Sequence, residues 1–273
     1  MTLIQQTKPS SIVSEMKKPL FKDLFKYLVV LAAVTWLMIN GTQKLGYHWQ
    51  WYRVPQYIFS MADDRLIPGP LIQGLLITIR ITAVSLVLAF VFGLTTALMR
   101  LSRSLLARII ARGYLETVRN TPLLVQLFFI YFVASPVMGF SGFVSAVLAL
   151  SLFEGAYASE IFRAGIISIK QGQWEAAHSV GLNTYQTYRL IILPQALRRI
   201  LPPLTSQAVS LIKDSALVST IAIYDITMQG QAIIAETFLV FEIWFTVAAM
   251  YLTMTMALSA TVFYMEKRLK LEA

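Results

Sequence analysis

The sequence predicts an all-α protein that crosses a membrane about six times, with both ends on the cytoplasmic side. Three observations predict it. Charged residues make up only 14% of the chain and apolar ones 57%, with a mean hydropathy of +0.65, whereas an ordinary globular domain is about 25% charged. The apolar residues come in blocks, several of them near the ~20 residues that one helix needs to span the hydrocarbon core. The Lys and Arg residues are shared unevenly among the loops between those blocks, as orientation in a membrane requires. An unusually apolar soluble domain would not sort its residues this way. There is no cysteine, which excludes disulfide and thiol chemistry. His48 and His178 lie far apart and have no metal-ligand spacing.

The first span is about 22–40. Its uncharged core, YLVVLAAVTWLMI, is short, so Lys22 and Lys26 must snorkel to the surface. A long region precedes it and no A-x-A site follows in INGTQK, so it is expected to stay as an anchor rather than be removed as a signal peptide. The outer loop 41–69 carries Tyr47, Trp49, Trp51, Tyr52 and Tyr57. Such aromatics mark the headgroup level. A docking surface for an external partner is the sharper reading, and Asp63, Asp64, Asp225 and Glu236 would give it negative charge. The second span is ITAVSLVLAFVFGLTTALM, 81–99, free of charge; Arg80 marks its outer boundary and leaves 70–80 at the interface. The third, about 121–138, opens on Asn120-Thr121-Pro122, a cap with proline at the first helical position, and Pro136 should bend or end it. The fourth is about 142–164, the fifth about 204–224 and the sixth about 240–264. Gly155 with Ala156 and Ala158 offers the closest helix contact, because small residues let membrane helices approach.

With the N-terminus inside, eighteen of the 23 Lys and Arg residues fall on the cytoplasmic side. They gather before and at the start of the first span, in 100–119, in 163–199 and after 266. Lys44, Arg53 and Arg65 fall outside. Basic residues collect in cytoplasmic loops, so this split sets the orientation. It also accounts for the net charge of +9 without a nucleic-acid partner.

One long stretch breaks the apolar pattern: QWEAAHSVGLNTYQTYRLIILPQALRRILPP, 173–203, on the cytoplasmic side by this topology. It reads as two short helices. The first is about 173–180, with Glu175 in its first turn, where the helix dipole favours an acid. Gly181 stands where a left-handed C-cap is needed. Asn183 or Thr184 caps the second helix, which carries Tyr185, Tyr188 and Ile192 on one face. Pro194 ends or kinks it, and Pro202-Pro203 opens the next span. A plain amphipathic connector would look like this. So would a rigid hairpin that passes force to another protein, with small Ala176 and Ala177 admitting the partner and Gly181 fixing the angle.

Glu175-Ala176-Ala177, Gly181 four residues on, and Leu193-Pro194 twelve residues further resemble the EAA motif of ABC importer permeases. RNTPLLVQLFFIYF (119–132), GAYASEIFRAGI (155–166), GQWEAA (172–177), LPQALRRILPPL (193–204) and LIKDSALVST (211–220) are similar to the subfamily that takes up polar amino acids such as histidine, glutamine, glutamate, arginine or cystine. The resemblance covers about 70–265. It implies a type I importer permease core of five helices there, with the cytoplasmic hairpin at 168–203. Residues 1–69 would be an added tail, helix and outer loop, and 266–273 a short basic tail. It further implies an inner-membrane complex: two permease subunits, a dimer of ATPase subunits beneath and a substrate-binding protein outside. Glu175, Ala176, Ala177, Gly181, Leu193 and Pro194 would dock the ATPase. The chain has no G-x-x-x-x-G-K-[ST] loop and no Gly-Lys pair. ATP and magnesium would therefore belong to the partner, and this chain would hold no cofactor and would not itself be an enzyme.

Ionisable groups at membrane depth cost about 2.5–3.5 kcal/mol each on insertion scales, so they are functional candidates by default. Glu154 lies near the middle of the fourth span and Lys213 and Asp214 near the middle of the fifth. Adjacent residues do not face each other on a helix, so Lys213 and Asp214 need separate partners. An amino acid offers an ammonium for Glu154 and a carboxylate for Lys213. A structural bridge, Glu154 to Lys213 or to Arg80, is the alternative. Glu160 and Arg163, spaced i,i+3, resemble the family's Glu-Ile-x-Arg and read mainly as an ion pair supporting the hairpin, with a gate as the second reading. Glu242, near Trp244, reads as plain anchoring at the outer boundary.

Two other function classes compete. An integral membrane enzyme lacks its residues here: there is no His cluster and no G-x-S-x-G. A self-contained secondary transporter or channel usually needs more spans, and many carry inverted repeats. No repeat is visible.

Overall fold

The computed structural model describes residues 9–44, 46–62 and 65–268. Asp63 and Asp64, expected to face an external partner, lie outside the described residues. So do Lys8 and Lys270 of the basic flanks and the side chains of Lys17, Lys18, Lys22 and Arg268. The chain forms two compact units, Met1–Gln50 and Trp51–Ala273. The second begins ahead of Pro70, where the sequence places the start of the five-helix core.

Among the described residues the first unit contains one helix, α1 (Pro9–Lys44). Its stretch Leu24–Gly41 has a mean hydropathy of 1.7 and is long enough to cross a membrane.

The second unit opens with a turn of 3-10 helix at Trp51–Arg53, a short helix α2 (Pro55–Ile58) and an antiparallel hairpin, β1 (Phe59–Ala62) with β2 (Arg65–Pro68). That hairpin is the one departure from all-α among the described residues. Tyr57 and Ile58 pack on an outer core of Leu71, Ile226, Ile233, Leu239 and Ile243.

Helix α3 (Pro70–Leu101) starts at an extended Gly69 with proline in its first turn. The sequence reading put 70–80 at the interface, ahead of a span beginning at 81. The structure instead runs one helix through Arg80. Thirty-two residues at 1.5 Å each give about 48 Å, against a hydrocarbon core of about 30 Å, so 70–80 is the overhang of the span itself.

The basic loop 100–119 is also a helix, α4 (Leu105–Arg119), capped by the Ser104 hydroxyl, which accepts from Ala107 N–H at 3.3 Å. It is strongly amphipathic. Leu105, Leu106, Ile109 and Ile110 lie exposed along one side. Asn120 does not open the third span as expected. Its amide donates backward to the Glu116 carbonyl at 2.7 Å and closes α4. The span begins at α5 (Leu123–Phe128) with Pro122 as its cap, and the two helices meet at 106°. The Gln126 amide pins the elbow through the Val118 carbonyl at 2.7 Å and the Thr121 hydroxyl at 2.8 Å. A wide π turn, Phe129–Ala134, leads into α6 (Ser135–Met138), which carries Pro136 and ends at left-handed Gly139.

Helix α7 (Gly142–Ile167) is capped by Ser141 and is the central element. It crosses α3 closely: a Cβ on Gly93 would stand 2.7 Å from the Ala158 Cβ, and one on Gly155 would stand 2.9 Å from the Phe92 Cβ. The expected contact at Gly155 and Ala158 is thus the α3–α7 crossing. Beyond α7 lie α8 (Gln171–Ser179), α9 (Thr184–Thr187), a second π turn (Tyr188–Ile192) and α10 (Leu193–Asp214). A 3-10 stretch (Ser215–Ile221), α11 (Ile226–Thr237) and α12 (Val240–Arg268) complete the chain.

By length and composition, four helices among the described residues can cross a membrane, or five if the bent pair α4 and α5–α6 is one span. α10 is not among them. Thr, Ser, Lys and Asp residues interrupt its apolar sequence, and those interruptions belong to the site.

Candidate functional site

The hairpin is built by local rules. The Gly181 φ of +80° ends α8 in a Schellman turn. Leu182 N–H donates to the Ala177 carbonyl at 3.1 Å and Gly181 N–H to the His178 carbonyl at 2.9 Å. Asn183 and Gln186 then form a reciprocal capping box at the start of α9. Side chains lock the corner to the spans. Trp174 meets Tyr188 edge-on at 5.0 Å. Gln195 donates to the Gln173 side chain at 3.1 Å, and Arg199 donates to the Ser168 carbonyl at 2.5 Å. Underneath, Ile192, Ala196 and Ile200 join Phe162, Ile166 and Ala97 in one core at the ends of α3 and α7.

Four expectations need correcting. Glu175 sits past the first turn of α8, because the helix starts at Gln171, earlier than the spacing suggested. Ala177 is buried, so of the two alanines only Ala176 is presented outward. Tyr185 points away from Tyr188 and Ile192, since the π turn resets the helical register after Thr187. Pro194 does not end its helix, which leaves only the kink reading for it, and Pro202-Pro203 does not begin one. The wide turn Tyr188–Ile192 absorbs Pro194, and Pro202 and Pro203 lie inside α10. Proline leaves the carbonyl four residues back without its partner. For these two prolines that carbonyl belongs to Arg198 and Arg199, both exposed, where water can satisfy it. Glu175, Ala176, Gly181, Leu193 and Pro194 are all exposed, and Val180 and Tyr185 extend the same surface with 76% and 69% of their area free.

The second cluster lies between α7 and α10. Glu154 is 1% exposed. Its Oε2 accepts from the Gln207 amide, and its Oε1 has no partner among the described residues. Asp214 is near enough to act electrostatically on the same carboxyl. The bridge weighed for Glu154, to Lys213 or Arg80, does not form: the Arg80 guanidinium sits 5.3 Å over the Phe143 ring. Lys213 points away, into a cleft of about 530 Å³ between α10 and α12. Pro202, Thr205, Ser206, Val209, Ser210 and Lys213 line it from α10, the i, i+3, i+4, i+7 spacing of a single helix face. The three proposed pathway residues therefore divide. Glu154 on α7 and Asp214 on α10 lie at the seam between those two helices, and Lys213 faces outward on a polar stripe.

The third cluster is larger than its sequence signal. Glu160 accepts two bonds from Arg163 at 3.1 Å, one from Arg100 at 2.6 Å and one from Arg119 at 3.2 Å. Spacing on one helix could find only Arg163. Gln207, Arg100 and Arg119 are the residues that sequence reasoning missed. Only Gln207 left a signal, as an amide inside a predicted span. Among the described residues no group of three or more His, Asp or Glu is placed to hold a metal ion.

Comparison with known proteins identifies the family. Residues 89–271 match the family described as "Binding-protein-dependent transport system inner membrane component". The glutamine transport system permease protein GlnP of Escherichia coli (strain K12) is 40% identical over 206 residues, 74% of this chain and 93% of that protein. The nopaline transport system permease protein NocM of Agrobacterium fabrum (strain C58) is 38% identical over 200 residues, 69% of this chain and 83% of that protein. Among solved structures, an amino acid ABC transporter determined with histidines has a TM-score of 0.68 at 37% identity, covering 73% of this chain and 94% of that one. The methionine transporter MetNI, in an inward-facing conformation, has a TM-score of 0.64 at 19% identity, covering 73% of this chain and 96% of that one, and shares the fold.

Proposed function

The chain belongs to the family of inner-membrane components of binding-protein-dependent transport systems, and from that premise we propose that it is the permease subunit of an ATP-driven importer of polar amino acids. The observation that carries the reading is the hairpin. It is exposed on its outer face and bolted to α7 and α10 on its inner face, the construction a force-transmitting lever needs. Glu175, Ala176, Gly181, Leu193 and Pro194 form the surface offered to an ATPase subunit, with Ala177 beneath them as packing. Closure of two ATPase subunits on their ATP and magnesium would then pull α7 and α10 together with the hairpin.

The pathway is formed by two permease chains, because the polar stripe on α10 is open on one subunit and a stripe of hydroxyls in a membrane needs water or a second protein surface. Thr205, Ser206, Ser210 and Lys213 line that pathway, and Lys213 offers a cation to the carboxylate that every amino acid carries. Relatives named for glutamine and nopaline support an amino-acid substrate delivered by an external binding protein. The Lys and Arg distribution supports a cytoplasmic location for both termini and the hairpin, and the family description supports a bacterial inner membrane.

Co-purification tests the reading. The tagged chain, solubilised mildly from its own membrane, should bring an ATPase subunit with it. Ala176→Trp puts bulk on the exposed face without touching the core, and it should release the ATPase while the permease keeps its melting temperature. An ATPase that stays bound to Ala176→Trp, or one absent from the wild-type sample, would refute the assignment of this surface.

A further inference from the structure

An open cleft of about 1150 Å³ lies among α3, α4 and α7, at the end that carries the hairpin. Five arginines line it, Arg100, Arg108, Arg112, Arg119 and Arg163, against two acids, Glu116 and Glu160. Glu160 holds Arg100, Arg119 and Arg163 at 2.6–3.2 Å. One carboxylate cannot neutralise three guanidinium groups. Arg108 and Arg112, one helical turn apart on α4, have no side-chain partner among the described residues. The cleft is therefore cationic as built, with three of its five arginines fixed in place by an internal acid and two left to meet a ligand.

Its rim has the opposite character. Leu105 and Ile109 belong to the cleft wall. With Leu106 and Ile110 they form an apolar strip on α4, each 54–67% exposed. A helix with arginines on one side and large aliphatic residues on the other lies in the plane of the membrane surface. A ligand for this site needs an anionic head for the arginines and apolar chains for the strip. Arginine pairs bidentately with phosphate oxygens.

We propose that this cleft holds the headgroup of an anionic phospholipid from the leaflet that faces the hairpin, with α4 lying along its acyl chains. The inference needs the chain to span a membrane but is independent of what it transports. The lipid would brace the ends of α3, α4 and α7 on which the hairpin is mounted.

The test uses the intact transporter complex in nanodiscs of dioleoyl phosphatidylcholine containing a minor share of dioleoyl phosphatidylglycerol, with retained lipids counted by native mass spectrometry. Phosphatidylglycerol should be retained in preference to phosphatidylcholine. A juxtamembrane Lys or Arg contributes about 1 kcal/mol of attraction to an anionic surface, a factor of about five each. Arg108→Gln with Arg112→Gln should therefore lower the preference by roughly tenfold or more. Arg108→Lys with Arg112→Lys should retain most of it. Neither arginine pairs within the fold, so both variants should keep the wild-type melting temperature. Millimolar inorganic phosphate should leave the count unchanged. An equal preference in the glutamine variant would overturn the proposal. So would displacement of the lipid by phosphate or by free glutamine, because the cleft would then be a site for a soluble anion.

Discussion

Glu160 on α7 accepts a 2.6 Å hydrogen bond from Arg100 on α3, sixty residues earlier in the chain. The same carboxylate serves Arg119 of α4 and Arg163 of its own helix, so one acid joins three elements. Removing its charge with Glu160→Gln leaves three guanidinium groups facing one another. The participating side chains are 25–43% exposed, and solvent screening therefore discounts the loss. A cost of about 1–2 kcal/mol is expected, between an exposed pair and a buried charged hydrogen bond. Thermal unfolding in detergent should show a lower melting temperature, and the gap from wild type should narrow at high salt, where repulsion among the arginines is screened. An unchanged melting temperature at low salt would reduce the network to a decoration of the surface.

The α3–α7 crossing gives a sharper test, because its geometry names the compensating change. A Cβ on Gly93 would lie 2.7 Å from the Ala158 Cβ and 3.1 Å from the Gly155 carbonyl oxygen. Gly93→Ala should force the helices apart and cost about 1–3 kcal/mol, the usual range for overpacking. Ala158→Gly removes the nearest atom. The double variant should thus recover part of the stability, and a double-mutant cycle on melting temperature would measure the coupling. Strictly additive effects would mean that the two helices do not meet there.

Much of this was legible in the sequence for a physical reason: apolar blocks, glycine breaks and caps are local. The Gly181 turn, a cap at Asn183 or Thr184 and the Gly155–Ala158 contact followed from residue type alone. What escaped depends on neighbours in space. Pro136 and Pro194 were visible as breaks, yet each is accommodated by a π turn just before it, Phe129–Ala134 and Tyr188–Ile192. A turn widened to i→i+5 moves the carbonyl that a proline ring would strike, and nothing in the letters announces it. Helix α4 is legible in the helical spacing of Leu105, Leu106, Ile109 and Ile110, a pattern that its five-arginine neighbourhood masks. The partners of Glu154 and Glu160 lie on other helices. No spacing rule reaches from Glu160 to Arg100, or from Glu154 to Gln207.

Gly181 separates backbone from side-chain effects in the hairpin. Its φ is +80° and no atom lies within 4 Å of where a Cβ would be. Any damage from substitution must come from the left-handed backbone, which costs an ordinary L-residue about 1–2 kcal/mol and asparagine less. Gly181→Val should therefore lower ATP-driven uptake several-fold at equal protein level, and Gly181→Asn should stay close to wild type. If both failed alike, the open space beside Gly181 would have to be filled by the partner in the assembled complex.

The charges of α7 and α10 should part in their kinetics as they part in space. Glu154 is sealed between α7 and α10 with Gln207 donating to it, so a helix-tying role is expected of it. Glu154→Gln preserves its size and leaves uptake with a KM within about twofold of wild type. Glu154→Ala opens a cavity and strands the Gln207 amide, which should lower stability by about 2–3 kcal/mol. Lys213 stands on the open stripe with Ser206 and Ser210. A hydrogen bond from a charged group contributes about 1.5–3 kcal/mol, and 1.4 kcal/mol is tenfold. Lys213→Gln should therefore cut kcat/KM for amino-acid uptake about tenfold or more while leaving the melting temperature in place. Uptake by the reconstituted complex across a concentration series measures both. The reverse pattern, Glu154→Gln losing affinity and Lys213→Gln keeping it, would move the pathway from the α10–α12 cleft to the α7–α10 seam.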